Sequence, residues 1–152
     1  VDMSAASIAE PLATLLQESL AQIGIKVTIN KYPSGQMGQA LTKKEVAFYY
    51  DGSAAWLADT DYFFRIFYQG DTRWNFGGFE NAEMAKLVAD ARWETDAARY
   101  DAMTRRMIEI ANAEVPVVML WQAALELAAQ KSLKGFVYYF HRQVDFRKLV
   151  RA

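Results

Sequence analysis

The chain has 152 residues, 53% hydrophobic and 23% charged, which is the composition of one globular domain with a sizeable core. Seventeen Lys and Arg against eighteen Asp and Glu leave a net charge of −1, so the clustered cationic excess of a nucleic-acid binder is missing and nothing invites an anionic membrane surface. With no cysteine, a disulfide framework, a thiolate zinc site and a cysteine nucleophile are excluded.

No apolar run reaches the ~20 residues needed to span a bilayer. No signal peptide is visible, and the chain opens on Val1, so the sequence reads as a mature product or an excised piece. Residues 1–3 read as the end of a strand. Ile8, Leu12, Leu15, Leu16, Leu20 and Ile23 then recur at helical spacing. Ser7 is a candidate N-cap, Pro11 sits in the first turn, and Gly24 is placed to end the helix. Ile25, Val27 and Ile29 alternate with Lys26, Thr28 and Asn30, which predicts a half-buried strand.

Residues 32–38 carry Pro33, Ser34, Gly35 and Gly38 and read as a loop, with a short helix over 39–43. Residues 46–50 read as an apolar strand. Residues 54–70 are aromatic and partly helical, and 71–81 form a loop. Asn81 is an N-cap candidate for a helix with Met84, Leu87, Val88 and Ala91 on one face. Thr95 or Asp96 opens another, with Tyr100, Met103, Met107, Ile110 and Ala111 on its stripe. Its opposite face, with Arg99, Arg105, Arg106 and Glu109, reads as solvated. Pro116 stops that helix. Residues 117–121 and 136–140 read as strands, 125–129 as a strand or a helix, and 144–152 as a short helix. Helices alternating with strands predict an α/β layer with a mixed sheet.

Four stretches, in this order, resemble the C-terminal third of the dipeptide, oligopeptide and nickel family (family 5) of ABC-importer solute-binding proteins. The first is Leu20, Ile23, Gly24, Ile25 and Val27, a helix-to-strand turn. The second is Trp56, Leu57, Ala58 and Asp59 followed by Asp61 and Phe64. The third runs from Asn75 through Phe79, Asn81 and Met84 to Leu87. The fourth joins Arg99 and Tyr100 to the segment from Glu114 through Pro116 to Leu120. The family often has a proline after the Trp-Asp segment, whereas this chain has Asp59, Thr60, Asp61 and Tyr62.

The resemblance implies a two-lobed periplasmic-binding-protein-like fold of class II type, of which this chain is an incomplete, mixed-sheet α/β lobe. Residues 1–121 would form the second lobe, and 122–152 would return toward a first lobe that lies outside this chain. It further implies a small solute, expected to be a peptide, membrane permease partners, no cofactor, and a periplasmic or membrane-anchored extracellular location.

In peptide-binding relatives, the aspartate matching Asp59 looks like the partner of the ligand α-ammonium, a charge-assisted hydrogen bond. A helix N-cap explains Asp59 equally well. Trp56 is either a cleft wall or a core residue. Asp61, Tyr62 and Trp74 complete the candidate set. His141 is the only histidine, so no metal site is expected, and with Arg142, Asp145 and Arg147 it fits a local ion-pair network. Gly77 and Gly78 lack the Lys and Ser/Thr of a phosphate loop. Two other functions compete. One is a small hydrolase using Asp59 and Asp61. The other is a self-standing interaction module with an exposed apolar patch.

Overall fold

The computed structural model describes residues 1–2, 6–33, 35–53, 56–70, 74–122, 124 and 126–152. Helices dominate: α1 (Ala6–Ala21), α2 (Gln36–Thr42), α3 (Thr60–Phe67), α4 (Ala82–Ala91) and α5 (Ala97–Glu114). A small sheet pairs β1 (Leu133–Lys134) antiparallel with β2 (Val150–Arg151), Leu133 opposite Arg151. The chain forms two compact units, Val1–Gly52 with Gly70–Phe79, and Ser53–Gln69 with Glu80–Ala152.

In the first unit, α1 begins at Ala6, which places Ser7 inside the helix rather than at its cap. The expected face of α1 is only partly covered: Leu12, Leu16 and Leu20 are half-buried, while Ile8 and Leu15, with Ile23 beyond the helix end, stay exposed. Gly24 does end the helix. It adopts φ +82°, and the Gly24 and Ile25 N–H groups bond back to the Ala21 and Leu20 carbonyls. That is the left-handed turn that glycine makes without a steric cost.

Residues 25–29 keep the predicted alternation, Val27 and Ile29 being half-buried, but no ladder forms there. The Gln17 side chain donates to the Val27 carbonyl at 2.7 Å instead. One isolated parallel bridge joins Asp2 to Tyr32, so the first residues do pair as strand ends do, with Met3 outside the described residues. The loop carries Gly35 as expected, while Ser34 lies outside the described residues, and α2 starts three residues earlier than the periodicity predicts. Residues 46–50 are not a strand. Val46 and Tyr49 pack on the core of this unit, made by Met37, Leu41 and Phe76 with Tyr32.

Asn75 fixes the path beside that core. It is buried, its side-chain N–H₂ donates to the Gly70 and Phe79 carbonyls at 2.7 and 2.8 Å, and its Oδ1 accepts the Phe79 N–H at 3.0 Å. One amide therefore satisfies three backbone groups of the glycine-rich turn that holds Trp74, Phe76 and Gly78.

In the second unit, α3, α4 and α5 pack pairwise. Asn81 caps α4 by accepting the Met84 N–H at 2.9 Å, and Asp96 caps α5 by accepting the Arg99 N–H at 2.8 Å. These caps supply acceptors for N–H groups that have no partner inside the helix. Of the two predicted stripes, Met84, Val88, Ala91, Met107 and Ile110 are buried and Leu87, Tyr100, Met103 and Ala111 half-buried, and Phe64 of α3 is buried as well. The solvated face of α5 is paired: Arg106 makes a two-pronged contact with Glu83 of α4 at 2.7 and 2.8 Å and a third with Glu109. That contact holds the Glu83 carboxyl below its ordinary range. Asn81 also donates to Glu114, which ties the start of α4 to the end of α5. Helix α5 ends at Glu114, with Val115 in the left-handed region at φ +47° ahead of Pro116.

Beyond α5 the expected strands are absent. Residues 117–121 are exposed and unladdered, 136–140 are unladdered with only Tyr139 half-buried, and of 125–129 the described residues are neither helix nor strand, Leu125 lying outside them. A strand forms only where another offers complementary backbone groups, and here residues 133–134 and 150–151 alone do so among the described residues. The tail is therefore a 3₁₀ turn (Phe146–Lys148) followed by β2, not an α-helix. Gly135 at φ +84° lets the chain leave β1, since a Cβ there would stand 1.9 Å from the Lys148 carbonyl oxygen.

Two outcomes follow from this packing. Met107→Ala is expected to lower stability by about 2–5 kcal/mol in urea unfolding, because Met107 is fully buried, whereas Ile108→Ala beside it changes stability by about 0.5 kcal/mol or less. Asn75→Ala costs about 1–3 kcal/mol by leaving buried backbone groups without partners. Asn75→Asp, which keeps the acceptor and loses both donors, costs at least as much; a tolerant Asn75→Asp would show that the two donated bonds do not hold the turn.

Candidate functional site

The sequence candidates converge on the start of α3. Asp59 sits in extended backbone (φ −138°, ψ 134°) and its side chain accepts the Asp61 N–H at 3.0 Å. It is thus an N-cap, and it remains exposed. The same oxygen, Oδ1, also accepts the hydroxyl of Tyr100, which comes from the first turn of α5. The Asp61 N–H lies 3.3 Å from that hydroxyl and is shared with it. Burial, and then the bond to Asp59, push the Tyr100 phenol above its ordinary range, so it stays protonated and remains a donor.

Asp61 faces inward. It is buried, and its Oδ2 takes the Arg65 Nε at 3.3 Å one turn later. Its Oδ1 makes no hydrogen bond among the described residues. Arg65 in turn lies 5.8 Å over the Tyr62 ring, a cation–π distance. Tyr62 meets Phe63 edge to face, and Phe63 stacks along the helix on Phe67. The i,i+4 spacing of α3 therefore sorts its residues. Asp61, Phe64, Arg65 and Tyr68 line one side, and Phe63 and Phe67 form an aromatic strip beside it. Trp56, at 62% exposure, is not a core residue; it stands in the bend that leads into Asp59. The start of the aromatic segment, Ala54, lies outside the described residues.

Trp74 belongs to the other unit. It is 43% exposed and packs edge-on against Phe76, which does the same with Tyr49. The loop that precedes it starts at Asp71, which lies outside the described residues. The structure therefore brings Asp59 and Asp61 together around Tyr100, sets Tyr62 beside them on Arg65, and describes Trp74 as part of a separate aromatic cluster.

Tyr100 is the residue that sequence reasoning missed. It reads as one member of an apolar stripe. The usable signal was chemical: a phenol on a stripe of Met and Ile brings a hydroxyl that needs a partner. His141 also differs from expectation. Its ring stacks on Tyr139 at 5.3 Å and its Nδ1 accepts the Gln143 N–H, and among the described residues it joins no ion pair. Asp145 and Arg147 do pair, at 2.8 and 3.2 Å, and the guanidinium holds the Asp145 carboxyl below its ordinary range. Among the described residues no group of three or more His, Cys, Asp or Glu could hold a metal ion, and no helix is long and apolar enough to cross a membrane.

Residues 2–75 match the sequence pattern described as bacterial extracellular solute-binding proteins, family 5, middle. The chain is also similar to the probable D,D-dipeptide-binding periplasmic protein of Escherichia coli K12, at 27% identity over 132 residues. That similarity covers 85% of this chain and 26% of the relative, so the chain spans about a quarter of the length of the curated relative it matches. The pattern match spans the turn at Gly24 and the Trp56–Asp61 segment, and the longer similarity extends over most of the chain; this sequence is thus similar to family 5 of the bacterial extracellular solute-binding proteins.

Proposed function

We propose that this chain is part of the solute-binding component of an ABC importer for peptide-like solutes, and that Asp59 receives the ligand's α-ammonium. One observation carries the site: Asp59 is an exposed carboxylate whose Oδ1 takes both the Asp61 N–H and the Tyr100 hydroxyl, so Oδ2 is engaged by neither. An exposed carboxylate held through one oxygen, with the other outside those two bonds, is suited to a charge-assisted bond with –NH₃⁺. Trp56 offers a large exposed aromatic face three residues away, suited to packing a ligand side chain. Tyr62 and Asp61 stand as secondary members of the proposed site, and Trp74 is a separate candidate ligand contact within the other unit. The dipeptide named for the Escherichia coli relative supports the choice of ligand class.

The same reading includes a two-lobed, class II type fold in which residues 1–121 contribute to the second lobe and 122–152 run toward the first. It includes membrane permease partners and a periplasmic setting. A cleft of this kind buries its ligand between two walls. The hydrolase reading gains no support from the carboxylate pair. Asp61 is buried against Arg65 and Asp59 is committed to a helix cap, so the two do not face a common reacting atom. The exposed Val118, Met119, Leu120 and Trp121 favour a second reading, an interaction module. Intact mass and N-terminal sequence of the natural gene product separate the two readings. A much longer mature chain supports the importer component, and a product of this length alone supports the module.

Calorimetry on the natural protein tests the site. A dipeptide with a free amino terminus is expected to bind, and Asp59→Asn to weaken it by roughly 10–100-fold, as a lost charge-assisted bond implies. The N-acetylated dipeptide should bind weakly to both forms. Equal affinity of Asp59→Asn and wild type for the free-amino dipeptide would remove Asp59 from the site.

A further inference from the structure

We propose that Tyr100 is a positioning residue for ligand capture: its hydroxyl, reaching from α5, fixes the rotation of the Asp59 carboxylate so that Oδ2 is presented to the ligand. The inference rests on the reading of Asp59 given above and extends it to a residue 41 positions away.

Three hydrogen-bonding groups define the arrangement. Tyr100 donates its single proton to Asp59 Oδ1. The Asp61 N–H approaches the same oxygen at 3.0 Å and the Tyr100 oxygen at 3.3 Å. Without Tyr100, Asp59 Oδ1 would keep one backbone bond, and the terminal torsion of a carboxylate is broad when little holds it. With Tyr100, two donors reach Oδ1, one from its own chain segment and one from a neighbouring helix. The carboxylate then has one rotational setting, and its second oxygen points one way.

The anchor is itself firm. Helix α5 is capped by Asp96, and the Tyr100 N–H bonds to the Asp96 carbonyl at 2.9 Å. Its stripe continues into the buried Met107 and Ile110. The charged groups acting on the phenol are Asp59 and Asp61, both carboxylates, and both favour the protonated form. A preset carboxylate loses less freedom when a ligand arrives, which is how preorganisation raises affinity.

The test has two arms. In the first, the chain without ligand is labelled with ¹³C at tyrosine Cζ, Tyr100 is assigned through Tyr100→Phe, and its titration is followed by NMR. Asn caps a helix as well as Asp, so Asp59→Asn keeps the fold and removes the charge. The Tyr100 midpoint should fall in Asp59→Asn; an unmoved midpoint overturns the proposal. In the second arm, Tyr100→Phe in the natural protein keeps the ring and loses the hydroxyl. Its affinity for the free-amino dipeptide should drop about 5–10-fold, the size of one net hydrogen bond, with the N-acetylated dipeptide unaffected. If Tyr100→Phe binds like wild type while Asp59→Asn loses affinity, Tyr100 has no positioning role and the Asp59 reading stands. If Asp59→Asn also binds like wild type, both fail. A loss in Tyr100→Phe equal for both dipeptides would mark a structural role and overturn the proposal.

Discussion

A helix closes its backbone hydrogen bonds within itself, and a strand depends on another segment for every one. That asymmetry organises this chain. Helices α4 and α5 form with capped starts at Asn81 and Asp96 and with a shared buried face. Segments with equally clear strand composition, such as residues 25–29 and 117–121, stay unladdered. Among the described residues the sheet pairs two residues with two, and Gly135 and the 3₁₀ turn at Phe146–Lys148 bring its halves together. Under the proposed two-lobed reading, the unladdered segments are those whose partners belong to other parts of a longer chain.

The same asymmetry decides what the sequence alone makes legible. Helical spacing, N-caps and stop signals are local, so the faces of α4 and α5, the Asn81 cap, the Gly24 turn and the Pro116 stop can all be read residue by residue. The mixed sheet cannot, because periodicity reports that a segment suits a sheet and says nothing about whether a partner is present. Ser7 illustrates a smaller failure. It has the right chemistry for a cap, but the helix already runs from Ala6.

At the candidate site the legible part is again the local one. Asp59 has two sequence-level explanations, cap and ligand contact, and they look exclusive only while a carboxylate is treated as one group. The geometry assigns the cap to Oδ1 and leaves Oδ2 outside it. Asp61, taken as its companion, proves to be a different kind of residue, buried and tied to Arg65. The bond from Tyr100 crosses 41 residues of sequence, and no spacing rule reaches that far.

Stability and binding share parts here. Tyr100 stands one face away from the Arg106–Glu83 clamp on a helix whose inner stripe carries Met107 and Ile110. Forces that hold α5 against α3 and α4 therefore also hold the phenol against Asp59. The clamp is exposed and the ion pair adds little by itself, whereas the buried methionines set where α5 lies. The carboxylate offered to solvent at the start of α3 is thus positioned by apolar packing on a different helix, through a single hydroxyl.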